Sequence, residues 1–286
     1  MRKLERMHPA VGFLYLLGVM GITAFAGSPV VVLESLAGAA LLAALSGRLR
    51  GIGWTVPIAF TAALANFLFV HNGATALFFV GDMAFTLEAL AYGAFTGVML
   101  AAVCLWGNNA VRYVTSDKYI WLFGRILPAA GLVLSCAIRF IPMFVRRTRE
   151  FIAVQRCTTA RGYLRAFSAS VGYSAEQAMD SALSMRARGY GTARRTSFSL
   201  YRFTGGTAAA LAVTVFLGAG CAALMISGAG AFWFYPAVSG IRTRLPDILL
   251  YCVSGVFFLL PSAVVVRENV QYARGLGLNS ARAKEK

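Results

Sequence analysis

Six stretches of this chain are almost continuously apolar, and the polar positions gather between them. They run from about Pro9 to Ala26, Val30 to Leu45, Trp54 to Val70, Leu87 to Trp106, Phe203 to Ile226 and Ile248 to Val266. Each approaches the roughly 20 residues an α-helix needs to cross a bilayer. The pattern therefore predicts an all-α, polytopic helical membrane protein of about six spans. Gly27-Ser28-Pro29 reads as a tight turn between the first two, and His71-Asn72-Gly73 as a polar turn after the third. The segment from Ala74 to Thr86 is apolar but short and broken by Gly81-Asp82, which fits a re-entrant or interfacial piece better than a span.

Between the fourth and fifth spans the pattern changes twice. Residues 119–138 are apolar but interrupted by Arg125 and Pro128, and predict a helix lying in or dipping into the inner leaflet. Residues 139–202 are dense in arginine and predict a cytoplasmic segment. The chain thus divides into N-terminal membrane helices (1–118), an interfacial or re-entrant helix (119–138), a cytoplasmic helical region (139–202) and a C-terminal hairpin with a basic tail (203–286).

The arginine-rich region has a finer order. At 100° per residue, Phe140, Ile141, Phe144, Val145, Phe151 and Ile152 share one broad face, and Arg139, Arg146, Arg149 and Arg156 an adjoining one. Ala-Arg-Gly-Tyr occurs twice, at Ala160–Tyr163 and Ala187–Tyr190. Gly162 is expected to close the first helix, because glycine readily takes the left-handed conformation of a helix C-terminus. Arg161 would then sit in the last turn, where the helix dipole favours a cation. A second helix, Ala175 to Ala187, repeats the arrangement, with Arg186 and Arg188 at its end and Gly189 closing it. Arginine before a terminal glycine is also ordinary capping, so the repeat alone leaves a solvated loop open.

Composition sharpens the class. Of 286 residues, 58% are hydrophobic and 13% charged, with a mean hydropathy of +0.68. Soluble domains carry about 25% charged residues, so the balance is that of a membrane protein. The net charge of +16 is explained by cytoplasmic retention of Lys and Arg and by attraction to anionic lipid; nucleic acid is not expected as a partner. Arg2, Lys3 and Arg6 place the N-terminus inside, Arg48 and Arg50 mark a cytoplasmic turn, and the basic tail places the C-terminus inside. The basic start followed by an apolar run resembles a signal peptide superficially, but it leads into further hydrophobic sequence and is expected to be a retained span.

Catalytic chemistry is sparse. Cys104, Cys136, Cys157, Cys221 and Cys252 are scattered, with no Cys-x-x-Cys pair. Glu34, Asp82, Glu88 and Asp247 fall near expected span ends, and no acidic pair has the spacing of a metal-phosphate site. His8 and His71 are isolated, and no phosphate-binding Gly-x-x-x-x-Gly-Lys-Ser/Thr is present. Neither catalysis nor a cofactor or metal is expected in this chain.

The paired Ala160-Arg161-Gly162 and Ala187-Arg188-Gly189 motifs, His8-Pro9 before the first span, Ala91-Tyr92-Gly93 after TLEAL, and SDKYIWLFGRILP running into LSCAIRFIP give the chain a resemblance over most of its length. It resembles the transmembrane T component of energy-coupling factor (ECF) transporters, the ABC-type importers of vitamins and metal ions. The resemblance implies that Arg161 and Arg188 each anchor a coupling helix in one of two ABC ATPase subunits, which bind the ATP and Mg. Ala160, Gly162, Ala187 and Gly189 would allow close approach. It implies too that Phe140, Phe144 and Phe151 face a substrate-binding S component in the membrane. Two departures stand out: Arg186 competes with Arg188 as an anchor, and Cys157-Thr158-Thr159 before the first motif is more β-branched and polar than a strong helix former. The competing readings are a conventional ABC permease forming its own path, an integral membrane enzyme, and a membrane protein whose basic loop only binds anionic lipid.

Overall fold

The computed structural model describes residues 8–47, 49–70, 73, 75–80, 83–154, 159–192, 201, 203–235, 238–240 and 243–284. Arg2, Lys3, Arg6, Arg48, His71-Asn72, Gly81-Asp82, Arg156, Cys157 and Thr158 lie outside the described residues. Nine helices and one hairpin are seen among them: α1 (Pro9–Phe25), α2 (Pro29–Leu45), α3 (Leu49–Phe69), β1 (Ala76–Val80), β2 (Met83–Thr86), α4 (Leu87–Tyr113), α5 (Ser116–Ile126), α6 (Pro128–Val154), α7 (Ala160–Ala187), α8 (Gly205–Ile226) and α9 (Leu245–Lys284). They form two compact units, Met1–Thr115 with Phe203–Lys286, and Ser116–Arg202. Leu87–Tyr113, Ala129–Val154, Gly205–Ile226 and Leu245–Gln271 are long and apolar enough to cross a membrane, and Pro9–Phe25, Pro29–Leu45 and Gly53–Phe69 are shorter apolar helices. The protein is a helical, membrane-embedded one.

Helix starts in the first unit follow from local chemistry. Proline occupies the first position of α1 and α2, where its missing N–H costs nothing. Thr86 caps α4, accepting from the Ala89 N–H. Helix directions can be read from the contacts. On α2, Ser28, Glu34 and Gly38 meet Tyr251, Ser254 and Phe258 in order, so α2 and α9 are parallel. Ser35, Ala39 and Ser46 likewise meet Trp106, Asn109 and Tyr113, so α4 runs the same way. The helices α1, α3 and α8 run opposite to these three.

Close packing of α3 on α4 depends on Gly93 and Gly97, one turn apart. A Cβ at Gly93 would lie 2.7 Å from the Ala63 carbonyl oxygen, and one at Gly97 would collide with that of Ala59. Small residues at this spacing let two backbones approach where lipid gives no hydrophobic drive to associate. A directed hydroxyl chain runs beside them. Trp106 Nε1 donates to Ser35 Oγ (3.0 Å), Ser35 to Thr23 Oγ1 (2.6 Å), and Thr23 to the Val19 carbonyl (2.8 Å). Thr23 has given its only proton to Val19, which fixes Ser35 as the donor between them. Interhelical bonds of this kind contribute about 0.6 kcal/mol each in a membrane bundle. Around the chain lie Trp106, Phe257, Phe258, Leu42 and Leu105, all fully buried.

Two features add detail to the sequence reading. Within the stretch expected to be a re-entrant or interfacial piece, Ala76–Val80 and Met83–Thr86 pair as antiparallel strands, with Phe78 opposite Phe85, Phe79 opposite Ala84 and Val80 opposite Met83. Pairing the two strands with each other satisfies backbone groups that a short apolar coil would leave unbonded. One helix, α6, carries the chain continuously across the 138/139 region boundary. The helix boundary in this stretch is at Leu127, because proline disfavours a helical conformation in the residue before it and is favoured at a helix start.

Candidate functional site

The Ser116–Arg202 unit is built on three helices. A close approach joins α5 to α6, where a Cβ on Gly131 would lie 2.5 Å from the Gly124 Cα. Trp121 and Tyr201 meet edge to face at 6.0 Å; burial first, and Asp117 second, push the Tyr201 phenol up from its ordinary pKa. At the centre of the unit α6 packs on α7. Thr148 Oγ1 shares its one proton between the Phe144 carbonyl of its own helix (2.9 Å) and Ser170 Oγ of α7 (3.1 Å), and the Ser170 proton goes to the Phe167 carbonyl (2.7 Å). Ala166 and Ser170, one turn apart and both fully buried, provide the small surface on which α6 rests.

Of the three phenylalanines expected to face a partner, two are engaged within the unit. Phe144 meets Phe167 edge-on at 6.0 Å, and Phe151 meets Tyr173 at 6.2 Å. Phe140 instead lines an open groove of 310 Å³, together with Ile141, Phe144, Arg147, Tyr173 and Gln177 among others. Arg147 donates to Glu150 at 2.8 Å and lies 5.4 Å from the Tyr173 ring centroid. With both partners about half exposed, that ion pair contributes little to stability.

The Ala-Arg-Gly motifs lie at opposite ends of a single helix. At the C-terminal end the expectation is met in detail. Ala187 is the last residue of α7, Arg188 the cap, and Gly189 takes a φ of +79°. The Gly189 N–H donates to the Arg186 carbonyl (2.9 Å) and the Tyr190 N–H to that of Met185 (3.0 Å). That double bond pattern closes the helix as only a left-handed residue allows.

The first motif differs. Ala160, Arg161 and Gly162 form the first turn of α7, with Thr159 as N-cap, so Gly162 closes no helix and Arg161 stands at a helix N-terminus. α6 is described as far as Val154. Thr159 opens α7 through its backbone: it is extended, and its carbonyl accepts from the Gly162 N–H (2.9 Å) and the Tyr163 N–H (3.2 Å), with no side-chain cap bond. Arg161, Arg186 and Arg188 are all exposed, as are Ala160 and Ala187, while Gly162 and Gly189 are half-buried. Arg161 to Arg188 spans 27 residues, or about 40 Å of helix at a rise of about 1.5 Å per residue.

The acids of the membrane unit serve its packing. Ser254 Oγ donates to Glu34 (2.5 Å), Thr75 Oγ1 to Glu88 (2.7 Å), and the Gly230 N–H to Asp247 (2.7 Å). Glu34 stands in the second turn of α2 and Asp247 in the first turn of α9; Asp82 lies outside the described residues. His8 caps α1 through Nδ1, which accepts from the Ala10 N–H at 3.3 Å. Among the described residues Cys104, Cys136, Cys221 and Cys252 are free thiols, and no three His, Cys, Asp or Glu side chains gather as a metal-ligand set. The α6–α7 groove is the feature sequence reasoning missed. Its signal was Phe140, Ile141 and Phe144 on one face, with Tyr173 and Gln177 one turn apart further along the chain. Compared with models of protein families and with curated protein sequences, the chain finds no match.

Proposed function

We propose that this chain is the transmembrane coupling subunit of an ECF-type ABC importer, carrying ATP-driven motion from two ATPase subunits to a membrane S component that takes up a vitamin or metal ion. The observation that carries the reading is the pair of identical Ala-Arg-Gly motifs, exposed at the two ends of α7 about 40 Å apart. Two anchors at that separation suit two separate subunits better than one small ligand. An exposed arginine can make bidentate bonds to carboxylate and is a typical energetic centre of an interface. Arg161 adds a further pointer: it sits at the positive end of a helix with no acidic residue in the first turn. That position disfavours a cation by about 0.3–1 kcal/mol, a cost that an acidic partner would reverse.

In this reading ATPase closure displaces the ends of α7, and the packing of Ala166 and Ser170 on Thr148 passes the movement to α6. The membrane unit crosses a prokaryotic cell membrane six times with both termini in the cytoplasm, and the arginines of α6 and α7 face the same side. Co-expression with candidate ABC ATPases and pull-down in detergent tests this. Wild type should recover an ATPase pair, and Arg161→Glu combined with Arg188→Glu should lose it while remaining membrane-inserted. Equal recovery would reject the α7 ends as the coupling interface.

A further inference from the structure

Ala166 and Ser170 place one side of α7 against α6. At 100° per residue the opposite side carries Leu164, Ser168, Gly172, Ala175 and Met179 on one face. All five are exposed, Leu164 by 68% and Met179 by 61%. In the middle of this face stands a glycine that its own chain does not require: a Cβ at Gly172 would meet nothing within 4 Å. Glycine inside a helix costs stability relative to alanine, and its use is to let another backbone come close.

Charge borders the same face in order. Arg161 and Arg165 stand toward its N-terminal end, Glu176 and Asp180 toward its C-terminal end. None of the four has an ion-pair partner among the described residues. The pair Arg165 and Glu176 has the same midpoint as the pair Arg161 and Asp180, between Ser170 and Val171. Such a helix is complementary to its own reverse, because a two-fold axis at that midpoint sets each arginine against an acid. The same axis sets Leu164 against Ala175 and Met179, and Gly172 against Ser168. We infer that α7 pairs antiparallel with α7 of a second copy of this chain, closing on Gly172, with Arg165 opposite Glu176 and Arg161 opposite Asp180. Burial of the apolar face drives the association. The charges fix its direction and register, since a parallel pair would set arginine beside arginine. Arg161 is also an anchor in the coupling reading, so the dimer and the ATPase complex exclude each other at that end. The dimer is then the form of the chain without its ATPases, though the pairing itself does not rest on that reading.

The test reconstitutes the full chain, its five cysteines changed to serine, into phosphatidylcholine vesicles and adds a short, membrane-permeant bismaleimide. Ser168→Cys should give a covalent dimer, and Ser184→Cys, on the α6 side of the helix, should not. Arg165→Glu should cut the Ser168→Cys dimer roughly tenfold by setting acid against acid. Adding Glu176→Arg should restore it, a recovery that a folding defect cannot produce. Gly172→Leu should cut the dimer too, with the melting temperature unchanged or raised. No dimer from Ser168→Cys, an equal yield from Ser184→Cys, or no recovery on exchanging the charges would each overturn the pairing. ATPase recovery in the pull-down is a separate measurement, and its failure leaves the crosslinking result standing.

Discussion

The two units solve the problem of burial in opposite ways. The membrane unit encloses Trp106, Phe257, Phe258 and Leu42 completely and threads a directed hydroxyl chain through them. The Ser116–Arg202 unit buries only Lys118, Gly131, Ala166 and Ser170 among its described residues, none of them a large apolar side chain. Leu164, Phe167, Met179 and Leu183 of α7 are instead more than half exposed. Large apolar side chains left uncovered on a helix mark surface meant for lipid or protein. Contacts of this kind hold a unit less rigidly than a closed core does.

Trp106→Ala is the strongest way to break that contrast. It should lower stability by about 3–5 kcal/mol, because it opens a cavity and removes the donor to Ser35. Phe140→Ala, on the open groove, should change it by less than about 1 kcal/mol. Thermal unfolding of both variants in detergent checks the pair; equal losses would mean that the second unit has a closed core after all.

A smaller effect comes from the repeated glycines. Gly189→Ala forces a Cβ into a left-handed conformation and should destabilise by about 1 kcal/mol. Gly162→Ala, inside the first turn of a helix, should be neutral or stabilising by up to about 1 kcal/mol. Helix content and melting temperature read both, and matching signs would put the two motifs in the same conformation.

The smallest effect is set by pH. Burial lowers the His8 pKa below its ordinary 6.5, so the neutral ring is favoured by folding. Stability is then full above the unfolded pKa and declines as pH falls through 6.5 towards the folded value, because the unfolded chain takes the proton first. Protonation also removes the Nδ1 acceptor that caps α1, worth about 0.5 kcal/mol at the low end for a helix cap. Melting curves on either side of that pH should show the decline in wild type and a flatter response in His8→Asn, which keeps a cap acceptor without titrating.

Much of the membrane unit was legible because a lipid-facing helix must be apolar along its whole length, and that signal survives without knowledge of its neighbours. The C-terminal cap at Gly189 was legible for a similar reason, since left-handed φ is a local property of glycine. The same four letters at Ala160–Tyr163 misled, because there they follow an extended Thr159 and open a helix rather than close one. The hairpin at Ala76–Thr86 was hidden too: strand pairing requires a partner, and neither strand has a period long enough to announce it.

By itself, then, the sequence determined a basic, helical membrane protein and the positions of two arginine motifs. Those follow from residue chemistry and near-neighbour periodicity. Only the tertiary structure decided that both motifs belong to one helix, that Phe144 and Phe151 pack edge-on against Phe167 and Tyr173 of α7, and that an apolar groove lies beside them. The last two depend on which residues meet across a gap of twenty or more positions, as Phe144 meets Phe167, and no local pattern records such a meeting.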